Sequence, residues 1–87
     1  MSIKQVLSKK SFGSKIYLEW VDAWATEGWM SLRQAMKIPD DVYCFTNAWY
    51  IGEKDGFVII SHTKGKTKDD DMMGKLLIPK NWIRRVK

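Results

Sequence analysis

Residues 42–62 read VYCFTNAWYIGEKDGFVIISH, and the fold class follows from this segment. It contains two runs rich in β-branched and aromatic residues, Val42–Ile51 and Phe57–His62, and that composition is typical of strands. Between them, residues 52–56 end in an Asp-Gly pair of the kind that closes hairpins. We therefore expect an antiparallel hairpin at the centre of the chain, with a loop over residues 52–56.

The segments on either side add further strands. Upstream, Ile16, Leu18 and Trp20 alternate with more polar residues over 15–23, which predicts a strand with one buried face. Downstream, a charged loop over 63–74 is followed by short strands at 76–78 and 82–86, with a tight turn at 79–81 between them. Strands therefore dominate the chain.

Two short helices are predicted from their caps, since Ser2 with Gln5 and Ser31 with Gln34 both fit the capping box. The second helix is expected over residues 31–37, and Ile38-Pro39 should stop it, because the residue before a proline is pushed out of the helical region. With 87 residues the chain is expected to form a single domain, residues 1–87. The fold class is mainly β (α+β): a small, strongly bent antiparallel sheet or a closed barrel, with one or two short helices.

Two resemblances bear on this fold. The segment Ile78-Pro79-Lys80-Asn81-Trp82-Ile83 resembles the Pro-x-Asn-aromatic-aliphatic turn that precedes the last strand of Src-homology-3 domains. That similarity implies a Src-homology-3-like barrel, and it would place Pro79, Asn81 and Trp82 in a groove for proline-rich peptides. Fold analogy alone is a weak basis for function.

The second resemblance covers residues 18–86. Trp20-x-Asp22-Ala23, then Trp29 and a short helix, Ala48-Trp49, and Ile78-Pro79 look like a group of small uncharacterised bacteriophage and prophage proteins. Ala48 stands where that group usually has glycine. The similarity implies a phage accessory protein with a Src-homology-3-like or Sm-like small barrel, and it implies no particular chemistry.

Basic charge is concentrated at the two ends of the chain, whose net charge is +5. Residues 1–18 carry four lysines and no acid, and residues 75–87 carry five bases and no acid, whereas the middle has a local charge of −4. If the first and last strands pair, the two basic segments become one patch that attracts phosphates, nucleic acid or an acidic protein surface. The alternative is a solvated surface that keeps the protein soluble.

Cysteine usage and hydropathy indicate the cellular compartment to expect. Cys44 is the single cysteine, so no disulfide forms within the chain, and we interpret it as a small buried hydrophobe. The longest apolar runs fall far short of the ~20 residues of a membrane span, and no signal peptide is recognised at the N-terminus. We expect a protein in the cytoplasm of a bacterial host cell, with no membrane partner.

The five tryptophans supply the candidate site. Two interpretations of Trp20, Asp22, Trp24 and Trp29 stay open. In the first, they form a recess in which indoles stack on a planar ligand and the Asp22 carboxylate accepts its hydrogen bonds. In the second, the tryptophans belong to the core, and Asp22 caps a turn or accepts an indole N–H. Trp24, between two alanines, is the preferred exposed candidate. The full set of candidate ligand-binding or partner-binding residues is Trp20, Asp22, Trp24, Trp29, Trp49, Trp82, Arg84 and Arg85.

The sequence offers few residues for catalysis or metal binding. His62 is the single histidine and, with one cysteine, cannot build a tetrahedral zinc site. The run Asp69-Asp70-Asp71 lacks the ligand spacing of a calcium loop, and Gly65 and Gly74 do not make a phosphate loop. We therefore predict no enzyme, no metal and no cofactor.

Three binding functions remain open. The first is a phage accessory protein that binds and modulates a host protein or its own copies, since Trp and Tyr are favoured at interfaces. The second is a nucleic-acid-binding module with basic termini on phosphates and aromatic rings on bases. The third is a sponge that sequesters a small nucleotide ligand.

Overall fold

The computed structural model of the chain describes residues 2–23, 25, 27–65 and 71–87. It confirms the mainly β class, with five antiparallel strands in one sheet. In chain order the elements are α1 (Ile3–Ser8), β1 (Lys15–Val21), α2 (Leu32–Ala35), a 3₁₀ turn (Asp40–Val42), β2 (Tyr43–Lys54), β3 (Phe57–Lys64), β4 (Met72–Pro79), a second 3₁₀ turn (Lys80–Trp82) and β5 (Ile83–Val86).

The sheet is open. Within the described residues its strand order is β4-β3-β2-β1-β5, so β4 and β5 are edges and no barrel closes between them. The long strand β2 joins the two halves of the sheet, because its residues 43–49 pair with β1 and its residues 49–54 pair with β3. The register shifts between Tyr50 and Gly52, and a bulge of this kind bends a strand and increases its twist. Of the two architectures expected, the bent sheet is the one observed.

The core lies against one face of this sheet. Ile16 and Leu18 of β1 are buried there, as the alternation of apolar and polar residues predicts. Helix α1 covers the same face, with Leu7 only 1% exposed. The buried cluster consists of Leu7, Ile16, Leu18, Tyr50, Val58, Ile60, Ile78, Ile83 and Val86.

The central hairpin is tighter than predicted. Gly52, Glu53 and Lys54 pair with β3, so the expected five-residue loop is wrong and only Asp55 and Gly56 turn the chain. Both have positive φ, 52° and 83°, the conformation that matches the right-handed twist of the flanking strands. The charged loop is also shorter than predicted, since β3 continues to Lys64 and β4 begins at Met72; residues 66–70 lie outside the described residues.

Both predicted capping boxes are present. Ser2 accepts from the Gln5 backbone N–H at 3.2 Å, and Ser31 accepts from that of Gln34 at 3.2 Å. The second box begins α2 within the long connection between β1 and β2. We call residues 22–39 the arm: every described residue from 22 to 38 is exposed. The chain measures 56 × 28 × 21 Å, and its radius of gyration of 16.0 Å exceeds the ~12 Å of a compact domain of this length.

The two ends of the chain pair. β5 lies antiparallel to β1, and Tyr17 and Lys87 exchange backbone hydrogen bonds of 3.1 and 2.9 Å. This pairing meets the condition under which the two basic termini form one patch. In the described part of the chain, every helix is too short to cross a membrane.

Candidate functional site

The candidate site is the sheet face opposite the core, formed by β1, β2 and β5. Because side chains alternate along a strand, burial of Ile16 and Leu18 sends their neighbours to the other side. Cross-strand partners share a face, and the register pairs Lys15 with Trp49 and Glu19 with Phe45. We call this surface the open face; its residues are Lys15, Tyr17, Glu19, Val21, Tyr43, Phe45, Asn47, Trp49, Arg84, Arg85 and Lys87.

Aromatic rings and cations are interleaved on the open face. The Arg84 guanidinium lies 4.6 Å from the centre of the Tyr43 ring, and Lys87 Nζ lies 5.5 Å from that of Tyr17. Lys15 Nζ and Lys64 Nζ both approach the Trp49 ring, at 5.5 and 5.6 Å. A cation within ~6 Å of a ring centre is attracted by the ring's electron density. Each contact therefore holds a positive group beside a flat apolar surface.

The charge on this surface is strongly positive. Lys64, from β3, joins the four cations of the open face, and within the described residues none of these five forms a salt bridge. The one carboxylate is that of Glu19, which accepts a hydrogen bond from the Tyr17 hydroxyl at 3.0 Å. The open face thus has the electrostatics of an anion-binding surface.

The surroundings of Tyr17 change the pKa of its phenol. Desolvation beside the sheet raises the pKa of its phenol above the usual 10.0, and the hydrogen bond to the Glu19 carboxylate raises it further. The nearby Arg85 guanidinium acts in the opposite direction. The phenol is therefore neutral at physiological pH and keeps its hydrogen bond to Glu19.

A recess of about 380 Å³ opens on this face. Its polar and aromatic lining includes Tyr17, Asn47, Trp49 and His62, with lysine ammonium groups of Lys15 and Lys87 at its sides. The Asn47 side-chain amide is exposed and has no hydrogen-bond partner among the described residues, so both its donor and acceptor are free for a ligand. The recess has the size and chemistry to hold one planar heterocycle.

The exposed His62 side chain lies over strand β4. Its Nδ1 lies 2.6 Å from the Thr63 hydroxyl, and its ring covers Gly74 of β4. Gly74 has φ of 75°, and a Cβ at that position would fall inside the imidazole. Glycine is therefore required here both by the backbone and by the ring above it.

Among the described residues, Trp20, Asp22 and Trp29 do not come together in the predicted recess. Trp20 packs against the core and donates from Nε1 to the Thr46 hydroxyl at 3.0 Å. Trp29 lies on the arm and is fully exposed, at 106%. Trp24, the preferred exposed candidate, lies outside the described residues. The prediction of one tryptophan cluster is wrong for Trp20 and Trp29, because the chain leaves the sheet between them.

Three other predicted residues meet at a second recess. Asp22, Trp82 and Arg84 line a depression of about 360 Å³ together with Asn81, beside the turn that resembles the Src-homology-3 closing turn. That turn is present as the 3₁₀ turn at Lys80–Trp82. Asp22 Oδ1 accepts from the Ala23 backbone N–H at 2.8 Å, so the carboxylate also fixes the start of the arm.

The open face includes residues that sequence reasoning missed. Trp49, Arg84 and Arg85 were candidates, but the aromatic residues beside them were not. Tyr43 and Phe45 precede Trp49 at even spacing, and this period of two was the signal that places all three on one face. The missing neighbours are Lys15, Tyr17, Tyr43, Phe45, Asn47, Lys64 and Lys87.

Metal-ligating groups do not cluster in the described part of the chain, where no three His, Cys, Asp or Glu side chains come together. Cys44 is half-buried, with its thiol 3.9 Å from the Val42 carbonyl oxygen. Asp69 and Asp70 lie outside the described residues. No family model, curated protein or solved structure matches the chain.

Proposed function

We propose that this protein is a non-enzymatic module that binds single-stranded nucleic acid across the open face. The observation that carries the proposal is the set of four cation–aromatic contacts on one side of the sheet. Sequence-tolerant single-strand binding needs rings that stack on bases beside cations that follow the backbone. Phe45 is 67% exposed, so its ring is accessible for stacking on a base.

Duplex binding has less support. Base edges in a duplex are read by an element that enters the major groove, whereas the open face presents flat rings on a sheet. Unstacked bases of a single strand reach such rings directly. The recess at Trp49 then accommodates one base, with Asn47 within reach of its edge and Lys15 and Lys87 beside its phosphates.

Salt dependence tests the electrostatic half of the proposal. If all five cations contact phosphates, the slope of log K against log[salt] for a single strand is about −3.5, from ~0.7 per contact. Fluorescence anisotropy of labelled single-stranded RNA and DNA, titrated at several salt concentrations, measures this slope. Absence of binding at low salt, or affinity that does not change with salt, contradicts the proposal.

Matched variants test the surface itself. Phe45→Ala should weaken binding about tenfold, because stacking on one ring is worth ~1–3 kcal/mol per base. Phe12→Ala is the control, since Phe12 is 47% exposed but lies in the loop before β1, off the open face. In the same way, Arg85→Glu should weaken binding and flatten the salt slope, whereas reversing Lys54 at the far hairpin end should do less. Equal effects of Phe45→Ala and Phe12→Ala exclude the open face as the binding surface.

A small nucleotide is the second candidate ligand, favoured by the Trp49 recess, whose volume fits one base. Competition distinguishes the two: a mononucleotide that displaces a labelled strand at equal concentration indicates a nucleotide sponge, whereas a much weaker competitor indicates a strand binder. A host-protein partner, and with it a phage accessory role, stays a prediction; it would use exposed apolar surface rather than the open face.

A further inference from the structure

The arm presents a run of apolar side chains that the rest of the described chain leaves exposed. Trp29, Leu32, Met36 and Ile38 are 106%, 78%, 74% and 71% exposed, and Met30 adds a further apolar side chain. The arm is nevertheless ordered by a capping box and the Met36 N–H to Leu32 C=O bond of 3.0 Å. An exposed apolar surface on a segment with regular hydrogen bonding is typical of an interaction site.

We propose that the arm of one copy of this chain packs against the β4 edge of a second copy, and the reverse, around a two-fold axis. Strand β4 carries Met73, Leu76 and Leu77, which are 65%, 40% and 44% exposed, and Lys75 lies among them in the sequence. Met73 and Leu77 share one face of this edge strand with Lys75, whereas Leu76 lies on the other. β4 is an unpaired edge of the open sheet. In its own chain the arm joins β1 to β2, and β3 separates both from β4.

Charge favours a second copy as the occupant. The arm by itself is neutral, but Asp40 and Asp41 follow it directly; residues 22–41 therefore hold four carboxylates against two bases, a net charge of −2, which leaves +7 on the rest of the chain. An arm placed on the body of another copy therefore brings the adjoining Asp40 and Asp41 towards a surface of opposite charge. Arm against arm would instead bring two segments of charge −2 together.

The available area also suits a dimer. One exposed indole contributes about 150–250 Å², and four further apolar side chains bring an arm towards the ~800 Å² that each partner buries in a standard interface. In a reciprocal arrangement this contact forms twice, so the two arms together reach the size of a stable homodimer. Closed two-fold symmetry also prevents the chain-to-chain growth that an open edge would otherwise allow.

Sedimentation velocity of the purified chain, free of nucleic acid, tests the proposal from micromolar to near-millimolar concentration. We expect a monomer–dimer equilibrium. The arm variant Trp29→Ser, Leu32→Ser, Met36→Ser and the edge variant Leu76→Ser, Leu77→Ser should each raise the dissociation constant at least tenfold. Phe12→Ser, a comparably exposed apolar residue off both surfaces, should leave it unchanged.

Mixing the two variants separates this arrangement from others. A heterodimer of arm variant and edge variant keeps one intact arm–edge contact, so the mixture should dimerise more tightly than either variant alone. A wild-type monomer at every concentration overturns the proposal, and so does a dimer that the arm variant leaves intact. A wild-type monomer that instead binds a host protein through the arm assigns this surface to that partner. These results are independent of nucleic-acid binding, which the Phe45 variant tests separately.

Discussion

Replacing Gly74 by alanine tests the geometry that holds His62 at the edge of the Trp49 recess. The left-handed φ of 75° costs alanine roughly 1–2 kcal/mol. The new Cβ also displaces the His62 ring and breaks its hydrogen bond to Thr63, for about 1 kcal/mol more. Gly74→Ala should therefore lower the free energy of unfolding by about 2–3 kcal/mol in the wild-type background.

The two causes separate in a double-mutant cycle. In a His62→Ala background the backbone cost remains but the ring is gone, so Gly74→Ala should cost only about 1–2 kcal/mol, a coupling of ~1 kcal/mol. Urea denaturation followed by tryptophan fluorescence measures all four proteins. Gly52→Ala is the matched control, because Gly52 has no left-handed φ and open space around its Cβ position.

Two outcomes would contradict this geometry. Equal costs of Gly74→Ala in both backgrounds would mean that the imidazole does not lie over Gly74. A Gly74→Ala protein as stable as the Gly52→Ala control would mean that position 74 is not held in a left-handed conformation. In binding assays, displacement of His62 should also alter occupancy of the recess that it lines.

Further predictions concern the core, one buried hydrogen bond and one phenol. Leu18→Ala should cost about 3–5 kcal/mol in urea denaturation, because Leu18 is 0% exposed and leaves a cavity; a cost below ~1 kcal/mol would contradict the core assignment. Trp20→Phe combined with Thr46→Val should lower the free energy of unfolding by less than the sum of the two single changes, since the double change leaves no unpaired hydroxyl. The pKa of Tyr17, read by ultraviolet titration, should lie above 10.0 and fall in Glu19→Gln. Because the folded-state pKa is raised, its contribution to stability is present below pH 10 and is lost as pH rises through the folded value.

Local chemistry made much of the fold predictable. The capping boxes at Ser2 and Ser31 depend on residues three positions apart, and both form as expected. The period-two pattern around Ile16 and Leu18 identified β1 and its buried face. The 3₁₀ turn after Pro79 was also recognisable, since proline and asparagine favour turns. The central hairpin was placed correctly, although its loop was predicted three residues too long.

What the sequence alone determined, therefore, is the identity of the elements and which side of each strand is apolar. Pairing of β5 with β1, the bend in β2 and the exposure of Trp29 were decided only by the tertiary structure. The difference lies in how far along the chain the deciding interactions reach. A cap or an alternating strand is favoured by interactions within a few residues, whereas strand pairing and indole burial depend on which distant surfaces pack best. The open face exists because the two basic ends of the chain meet beside the aromatic half of β2.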